Sequence, residues 1–417
     1  MGSGGFTRAA QYGAVLGVVA VAAACGGSST PSSSSGGGTV TVPSGLSVSS
    51  LDSSFSQMAS LKPLSAGGHG LVGVILPDTT SSTRYVNFDL PYLTKAFTMA
   101  GYASTDFKID NAQGDAAAEL ATAQADITAG ATVLIFDPLN STVGGQIQAL
   151  AESHGVKTIS YDRATFQGTN TYYVSFDNFQ VGKLIGKGFT DCVTAWNVAS
   201  PQVFVLDGGE DTDPNAISFA QGYNSVIWGN QTTPQPAGTT NPQGYKLVGD
   251  QIAPNWVNAT GGTIFQQQFT AHPEINATVE ANDGLANAVI QDLKNSGVGA
   301  KKIPTTGQDA TLSGMENVLQ GFQCGSVYKA VYLEAQDAVA IATIVRAGLT
   351  PPAALVNSTT KPASGPGTTE PASLLTPMWV DVTNMASTVI KDGFVSGAAL
   401  CSAVGAAVCA ANNIPSS

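Results

Sequence analysis

Residues 157–182 read KTISYDRATFQGTNTYYVSFDNFQVG and contain two short apolar runs, each of which ends in charged or amide side chains. The first run, 157–161, is followed by Asp162 and Arg163, and the second ends at Phe176. Short runs of this kind predict β-strands that are buried on both faces. We therefore expect parallel strands here, with polar side chains at their carboxyl ends.

The same rhythm of strand and helix extends to both sides of this stretch. Apolar runs predict buried strands at 71–76 (LVGVIL), 133–136 (VLIF) and 203–206 (VFVL), and helical spacing predicts helices at 88–99 and 285–293. Short strands separated by helices indicate parallel sheets with helices on both faces. About ten strands in roughly 300 residues are more than one such sheet comfortably holds, so we expect an α/β fold with two lobes.

The composition argues against several classes of function. The 417 residues include 17 basic and 29 acidic side chains, and the net charge of -12 argues against a nucleic-acid partner. The sequence contains no G-x-S-x-G, Walker or H-E-x-x-H motif, and its three histidines, His69, His154 and His272, lie far apart. We therefore expect a protein that is not an enzyme, with no metal site and no cofactor.

The N-terminus predicts export. Residues 14–24 form an apolar run that is too short to span a bilayer but has the length of a signal-peptide core. The run leads into Ala-Ala-Ala-Cys, which resembles a bacterial lipobox, so we expect residues 1–25 to be a lipoprotein signal peptide and Cys25 to carry lipid. A plain small-residue cleavage site is the alternative. Residues 26–68 are rich in Ser and Gly and predict a flexible tether, which would hold the protein on the outer face of the cytoplasmic membrane.

Four cysteines remain if Cys25 is lipidated, and export permits them to form disulfides. Cys401 and Cys409 are close in sequence, so we predict that they pair. Cys192 and Cys324 either pair with each other or stay buried as thiols, and the sequence leaves both possibilities open.

Polar residues cluster where the predicted strands end, and ligands of doubly wound sheets bind beyond the carboxyl ends of the strands. Carboxylates accept hydrogen bonds from hydroxyl groups, Arg donates in a fork and Asn does both, which suits a sugar. An aromatic ring covers the apolar face of a sugar ring. The candidates of this kind are Arg84, Tyr85, Asp162, Arg163, Asn215, Phe219, Trp256, Asn282, Asp283 and Asp309.

Several blocks of sequence, in order, resemble the periplasmic sugar-binding proteins of ABC transporters, especially their xylose-binding branch. They are KTISYDR and YYVSFDNFQVG within 157–182, VEANDGLANA at 279–288, TGQDATLSGM at 306–315, VYK at 327–329, LLTP at 374–377 and TVIKDGF at 388–394. The resemblance covers about residues 70–395. It implies a type I periplasmic binding fold, in which two Rossmann-like lobes joined by a three-strand hinge close on one monosaccharide or polyol.

The resemblance also implies lobe boundaries, contacts and partners. It places 70–163 and about 310–370 in an N-terminal lobe, and 164–309 and about 371–417 in a C-terminal lobe. The protein is expected to be a monomer that delivers its ligand to an ABC permease and its ATPase. The sugar contacts carried over from the family are Arg84, Asp162, Arg163, Asn215, Asn282, Asp309 and Lys329.

One position departs from the xylose-binding pattern, because Ala220 follows Phe219 where an arginine is usual. We expect a wider and less charged cleft wall at this point, which favours a hexose or a sugar alcohol over xylose. Three other functions compete with transport. They are a receptor for the same sugar that signals to a membrane sensor kinase, a transcription regulator, and a secreted glycosidase. The exported N-terminus argues against the regulator, and the pairing of each candidate carboxylate with Arg or Asn argues against the glycosidase.

Overall fold

The computed structural model describes residues 40–169, 171–210, 212–361 and 367–415. The predicted signal peptide, Cys25 and the first part of the predicted tether lie outside these residues. Within the described ranges, no helix is long and apolar enough to cross a membrane.

The described chain alternates strands and helices as the sequence predicts. The strands are β1 (Leu71–Leu76), β2 (Phe107–Asn111), β3 (Ala131–Phe136), β4 (Lys157–Tyr161), β5 (Thr171–Phe176), β6 (Gln202–Gly209), β7 (Lys246–Pro254), β8 (Ala277–Glu280), β9 (Ser326–Tyr328), β10 (Ser358–Thr360), β11 (Glu370–Leu375) and β12 (Met378–Val380). The helices are α1 (Lys62–Gly67), α2 (Leu90–Met99), α3 (Ala116–Thr128), α4 (Ser141–Ser153), α5 (Asn178–Ala195), α6 (Pro214–Ile227), α7 (Asn258–Ala271), α8 (Asp283–Asn295), α9 (Leu312–Gln320), α10 (Val331–Arg346), α11 (Gly397–Val404) and α12 (Ala406–Ala411). Short 3-10 helices at Val48–Ser50 and Ser56–Leu61, and π-helical turns at Tyr85–Asp89 and Ala386–Ile390, complete the list.

The larger sheet has seven strands in the order β10-β11-β5-β4-β3-β1-β2, and every pair in it is parallel except β10 with β11. Its side chains alternate between two cores. Val72 and Val74 pack with α2 and α10 on one face, whereas Ile75 packs with α3 and α4 on the other. Helices on both faces explain why these strands are apolar along their whole length.

The smaller sheet has the order β7-β6-β8, and all its pairs are parallel. Its core contains β6 together with α5, α6, α7 and α8. Helices α5 and α6 approach closely, because a Cβ atom at Gly182 would lie 2.0 Å from the carbonyl oxygen of Phe219. Only glycine permits this approach, which fixes the first turns of α6 where Asn215 and Phe219 lie.

The chain passes between the two cores at three places. Along β5, Val174 belongs to the core of the larger sheet and Phe176 to that of the smaller one. In β9, Val327 belongs to the core of the smaller sheet and Tyr328 to that of the larger one. The third passage runs from β11 into β12, which pairs with β9. The predicted α/β fold with two lobes is confirmed, and these three segments form its hinge.

Three elements fall outside the predicted lobe boundaries. We predicted that 164–309 and about 371–417 form the C-terminal lobe, but β5 pairs with β4, and β11 pairs with β5, in the larger sheet. Leu400 of α11 also packs in a core of the larger sheet. The predicted boundaries are wrong for these elements, because strands of both lobes have the same apolar pattern and the pattern does not show which sheet a strand joins.

Residues 40–67 are packed against the larger lobe, contrary to the flexible tether predicted for this part of the chain. The Nε2 atom of Gln336 on α10 donates to the carbonyl oxygen of Asp52 over 2.9 Å. The average composition is polar, but each of the apolar side chains in this segment contributes about 1.5–3 kcal/mol when fully buried. The buried ones are Leu46, Leu51, Phe55, Met58, Leu61 and Leu64.

The structure contains two disulfides. Cys401 pairs with Cys409, as we predicted, and Cys192 of α5 pairs with Cys324 just before β9. The segment before Asp309 forms a single isolated β-bridge, between Gln308 and Val327.

Candidate ligand-binding cleft

A polar cleft of about 360 Å³, counting the solvent at its mouth, lies between the lobes at the carboxyl ends of their strands. All the predicted contact residues except Asp283 line it, together with Ser81, Ser82, Asp213 and Gln308. Sequence reasoning missed Ser81, Ser82 and Asp213 as site residues. The two serines follow β1 and Asp213 caps α6, so position after a strand was the signal that could have found the serines.

Asp162 is the charged centre of the cleft. Its Oδ1 atom accepts from Nη1 of Arg84 over 2.9 Å, its Oδ2 atom accepts from the Tyr85 hydroxyl over 3.1 Å, and Nζ of Lys329 lies 3.8 Å from Oδ1. Burial raises the pKa of this carboxyl, but the positive charges of Arg84, Lys329 and Arg163 outweigh it and lower the pKa to about 2. Asp162 is therefore ionised, and acceptor positions remain on its oxygens for hydroxyl donors.

Arg84 positions the carboxylate of Asp162. Its Nε and Nη2 atoms donate to Asp89 over 2.9 and 2.7 Å, and Nη2 also donates to Glu334 over 2.7 Å. Only Nη1 is directed to the cleft side, where it binds Asp162. Burial raises the pKa of Glu334 to about 8, despite the opposing charge of Arg84. The guanidinium therefore positions the cleft carboxylate more than it offers free donors.

Arg163 and Tyr85 form the adjoining wall. Nη2 of Arg163 donates to the Tyr85 hydroxyl over 3.0 Å, and Nη1 donates to the carbonyl oxygen of Pro138 over 3.3 Å. Nε of Arg163 lies 3.7 Å from a carboxylate oxygen of Asp137. These contacts use part of the five N–H donors of a guanidinium, so Arg163 retains donors for a ligand.

Lys329 joins the two lobes at the base of the cleft. It belongs to the hinge segment after β9, and its Nζ atom lies 3.2 Å from Oδ1 of Asp309 as well as 3.8 Å from Asp162. The Ser82 hydroxyl, which follows β1, donates to Oδ2 of Asp309 over 3.3 Å. These contacts connect side chains from opposite walls when the lobes are closed.

Two asparagines line the wall of the smaller lobe. Nδ2 of Asn215 donates to the carbonyl oxygen of Asp162 over 2.8 Å, and its Oδ1 accepts from the Tyr173 hydroxyl over 3.2 Å. Asn282 caps α8, because its Oδ1 accepts from the backbone N–H of Leu285 over 2.8 Å. The Nδ2 atom of Asn282 has no hydrogen-bond partner within the described part of the chain, so it is a free donor.

Trp256 supplies the aromatic surface. Its Nε1 donates to Oδ2 of Asp213 over 3.1 Å, and its ring meets that of Phe219 edge-on, with 6.3 Å between centroids. The ring lies directly on the backbone of Gly208, where a Cβ atom would come within 1.9 Å of it. The indole is thus fixed along one face and one edge.

Asp283 does not line the cleft, which corrects its predicted role. It is fully buried at the start of α8 and accepts from the backbone N–H of Thr311 over 2.8 Å, the Ser326 hydroxyl over 2.7 Å and the Gln323 amide over 2.8 Å. Burial raises its pKa to about 7, although these donors oppose the rise. The side chain at the first helical position points into the lobe and holds the hinge segment, while the neighbouring Asn282 faces the cleft.

Ala220 is also away from the cleft. It is buried and lines a separate space of about 320 Å³ with Asp207 and Ile252, on the other side of α6 from Asn215. The expectation that Ala220 widens a cleft wall is therefore wrong. Successive helical residues point about 100° apart, so the residue next to Phe219 does not share its environment.

Comparison with known proteins agrees with this geometry. The periplasmic binding protein domain matches residues 72–349. The chain belongs to the periplasmic binding protein family. Membership identifies a solute-binding protein rather than an enzyme, and one that acts outside the cytoplasm. Among the described residues, no group of three or more His, Cys, Asp or Glu side chains is arranged to hold a metal ion.

Individual relatives are sugar binders. This periplasmic binding protein is 32% identical over 288 residues to the D-xylose-binding periplasmic protein of Escherichia coli, which covers 69% of the chain and 80% of the relative. It is 28% identical over 339 residues to a multiple sugar-binding periplasmic receptor of Rhizobium radiobacter, covering 80% and 92%. A carbohydrate transporter solute-binding protein from Chloroflexus aurantiacus, solved with D-glucose, superimposes with a TM-score of 0.64 at 24% identity over 79% of this chain and 97% of that one.

Proposed function

We propose that this periplasmic binding protein captures a pentose, a hexose or a sugar alcohol in the cleft and delivers it to the permease of an ABC importer. The observation that carries the proposal is the ionised carboxylate of Asp162, which lies in a desolvated cleft with free donors on Arg163 and Asn282 and an aromatic ring at Trp256. An acceptor, donors and an apolar ring face are together the groups that recognise a polyhydroxylated ring.

The two-lobe arrangement supports a role in delivery. A sugar held between Asp162 of one lobe and Asn282 of the other contacts both, so it binds the closed form more tightly than the open one. This difference in affinity is what drives closure, and the closed form is then the one that the permease recognises. We also propose that lipid on Cys25 keeps the protein beside the permease. A cysteine-to-alanine variant released from the membrane fraction would support that anchor.

Calorimetric titration tests the proposal. D-xylose, D-glucose, L-arabinose, xylitol and sorbitol are titrated in one buffer, and at least one of them is expected to bind with a dissociation constant in the micromolar range or below, about -8 kcal/mol or stronger. Nitrophenyl glycosides incubated with the protein are expected to stay intact. Failure of every sugar and polyol to bind contradicts the proposal, and release of nitrophenol would identify a glycosidase instead.

A further inference from the structure

We propose that the cleft continues into a second subsite that takes another sugar ring or an aglycone, so that the preferred ligand is a disaccharide or a glycoside. The inference rests on the proposed function. Beside the central cleft lies a space of about 490 Å³, counting the solvent at its mouth. Ser81, Arg163, Asp213 and Trp256 line both spaces, so the two lie side by side.

The walls of this second space suit a sugar ring. Pro138, Leu139 and Pro214 contribute apolar surface to its lining, and Asn140 and Asn255 contribute polar residues. Apolar surface combined with a few polar groups is the usual lining of a small-molecule site, and a pyranose has an apolar face and a polar edge that match it.

Trp256 is held where it can serve both spaces. The backbone of Asn255 and Trp256 is left-handed, with φ angles of 53° and 59°. Two consecutive non-glycine residues in this region cost about 1–3 kcal/mol each, and they persist only where the surroundings fix them. Here the Gly208 backbone and the bond to Asp213 fix the indole, so that its remaining surface lies at the junction of the two spaces.

Charge decides which substituent fits. Carboxyl groups of Asp78, Glu210 and Asp213 line the second space, and the guanidinium of Arg163 is partly neutralised by Asp137. A phosphate or a sugar acid would meet this excess of negative charge, whereas the hydroxyl groups of a neutral sugar would find acceptors. The subsite is therefore suited to an uncharged ring.

Both lobes contribute to the second space, so a ligand there would strengthen closure. At its rim, the hydroxyl group of Ser141, at the start of α4, donates to the carbonyl oxygen of Thr212 just before α6 over 3.1 Å. A ring placed beside this contact touches the larger lobe at Leu139 and the smaller lobe at Pro214. Contacts to both lobes raise the affinity for the closed form, as in the central cleft.

Calorimetry with the whole protein compares monosaccharides with their extended forms. The probes are D-glucose and D-xylose, the disaccharides maltose, cellobiose and xylobiose, and the nitrophenyl α- and β-glycosides of both monosaccharides. At least one extended probe is expected to bind ten-fold tighter or more than its own monosaccharide, which corresponds to about 1.4 kcal/mol. If monosaccharides bind and every extended probe binds more weakly, the second subsite is wrong while the proposed function stands. If nothing binds, the proposed function itself fails.

Two substitutions that fill the second space from opposite lobes locate the effect. Leu139→Trp acts from the larger lobe and Thr212→Trp, at an exposed position, from the smaller one. Each is expected to lower the ratio of extended-probe to monosaccharide affinity at least ten-fold. Leu90→Trp, at an exposed site on α2 outside both spaces, is the matched control and should keep the wild-type ratio. A ratio that both filling variants leave at the wild-type value overturns the inference.

Discussion

Each lobe holds a buried carboxyl group at the carboxyl end of one of its strands, yet the charges of the two groups differ. Asp162 follows β4 in the larger lobe, and Glu280 ends β8 in the smaller one. The pKa of Asp162 is lowered to about 2, whereas burial raises that of Glu280 to about 8. The difference in pKa comes from the neighbouring groups. Arg84, Lys329 and Arg163 surround Asp162 and lower its pKa. At Glu280, only hydrogen bonds, such as that from the backbone N–H of Thr306, oppose the rise in pKa that burial causes.

The two walls of the cleft therefore contribute different kinds of contact to a ligand. The wall of the larger lobe is charged and already linked through Asp162, Arg84 and Tyr85 before any ligand arrives. The wall of the smaller lobe offers amides and an aromatic ring at Asn282 and Trp256. Preorganised charge around Asp162 gives the strong hydrogen bonds, and the amides and the aromatic ring of the other wall add neutral contacts.

Removing the central cation should have the largest effect. Arg84→Met leaves Asp89 without its buried counter-charge and removes the nearest cation from Asp162, which typically costs about 3–5 kcal/mol of unfolding free energy. Denaturant titration measures it. The control is Lys108→Met, because the Lys108 side chain is half exposed and its ion pairs should contribute less than about 1 kcal/mol. Equal losses in the two variants would refute the special role of the Arg84 cluster.

Neutralising the cleft carboxylate should mainly affect binding. Asp162→Asn removes the ionised acceptor and leaves Lys329 with one buried partner fewer, so sugar affinity should fall by about 2–4 kcal/mol, or roughly thirty- to a thousand-fold. Calorimetry measures the loss. Glu280→Gln makes the matched change in the other lobe. It should alter the affinity less than about two-fold, because substitutions away from a site usually change the free energy by less than about 0.5 kcal/mol. A large loss from Glu280→Gln would mean that the two carboxyl groups are equivalent after all.

Removing the aromatic surface should have an intermediate effect. Trp256→Ala takes away the ring that faces the ligand, and affinity should fall by about 1–2 kcal/mol. The control is Trp228→Ala at the end of α6, where a buried tryptophan lies outside the cleft, so stability should fall while affinity is kept. The same fall in affinity in both variants would show that the loss comes from the fold rather than from the ring.

The last prediction concerns the pH dependence of Glu280. Its pKa rises from an ordinary 4.5 to about 8, so the folded protein keeps a proton that the unfolded chain releases. The stability from this group is fully present below pH 4.5 and is lost as the pH rises through about 8. Relative to wild type, Glu280→Gln should therefore gain Tm steadily between pH 5 and pH 8 and no further above pH 8, because the variant has no carboxyl group to ionise. Parallel Tm curves for the two proteins would contradict a protonated Glu280.

The sequence predicted the strands and most of the cleft because both depend on local signals. Apolar runs such as β1 and β4 identify buried strands, and the carboxyl ends of parallel strands meet at one edge. The pattern could not separate Asn282 from Asp283, since both are polar and adjacent at a helix start. Which of them faces the cleft depends on the donors around Thr311 and Ser326, which are distant in sequence.

The other differences have a similar cause. Ala220 was placed in the cleft by its neighbour Phe219, although one step along a helix turns a side chain to another face. The polar average composition of residues 40–67 predicts a tether, but a few spaced hydrophobic residues such as Phe55 and Met58 suffice to anchor them. The position of a residue on its helix and the spacing of a few apolar residues decide where side chains are buried, and average composition shows neither.

The disulfide between Cys192 and Cys324 turns part of the chain into a covalent ring. The ring encloses the 132-residue interval from α5 to the segment before β9, and so contains the whole β7-β6-β8 sheet. The loop between α6 and β7 lies inside it and is largely exposed. A single cut by a protease in that loop would open the ring without dividing the molecule, since the two pieces stay joined through sulfur. The smaller lobe is therefore protected against becoming two separate fragments as well as against unfolding.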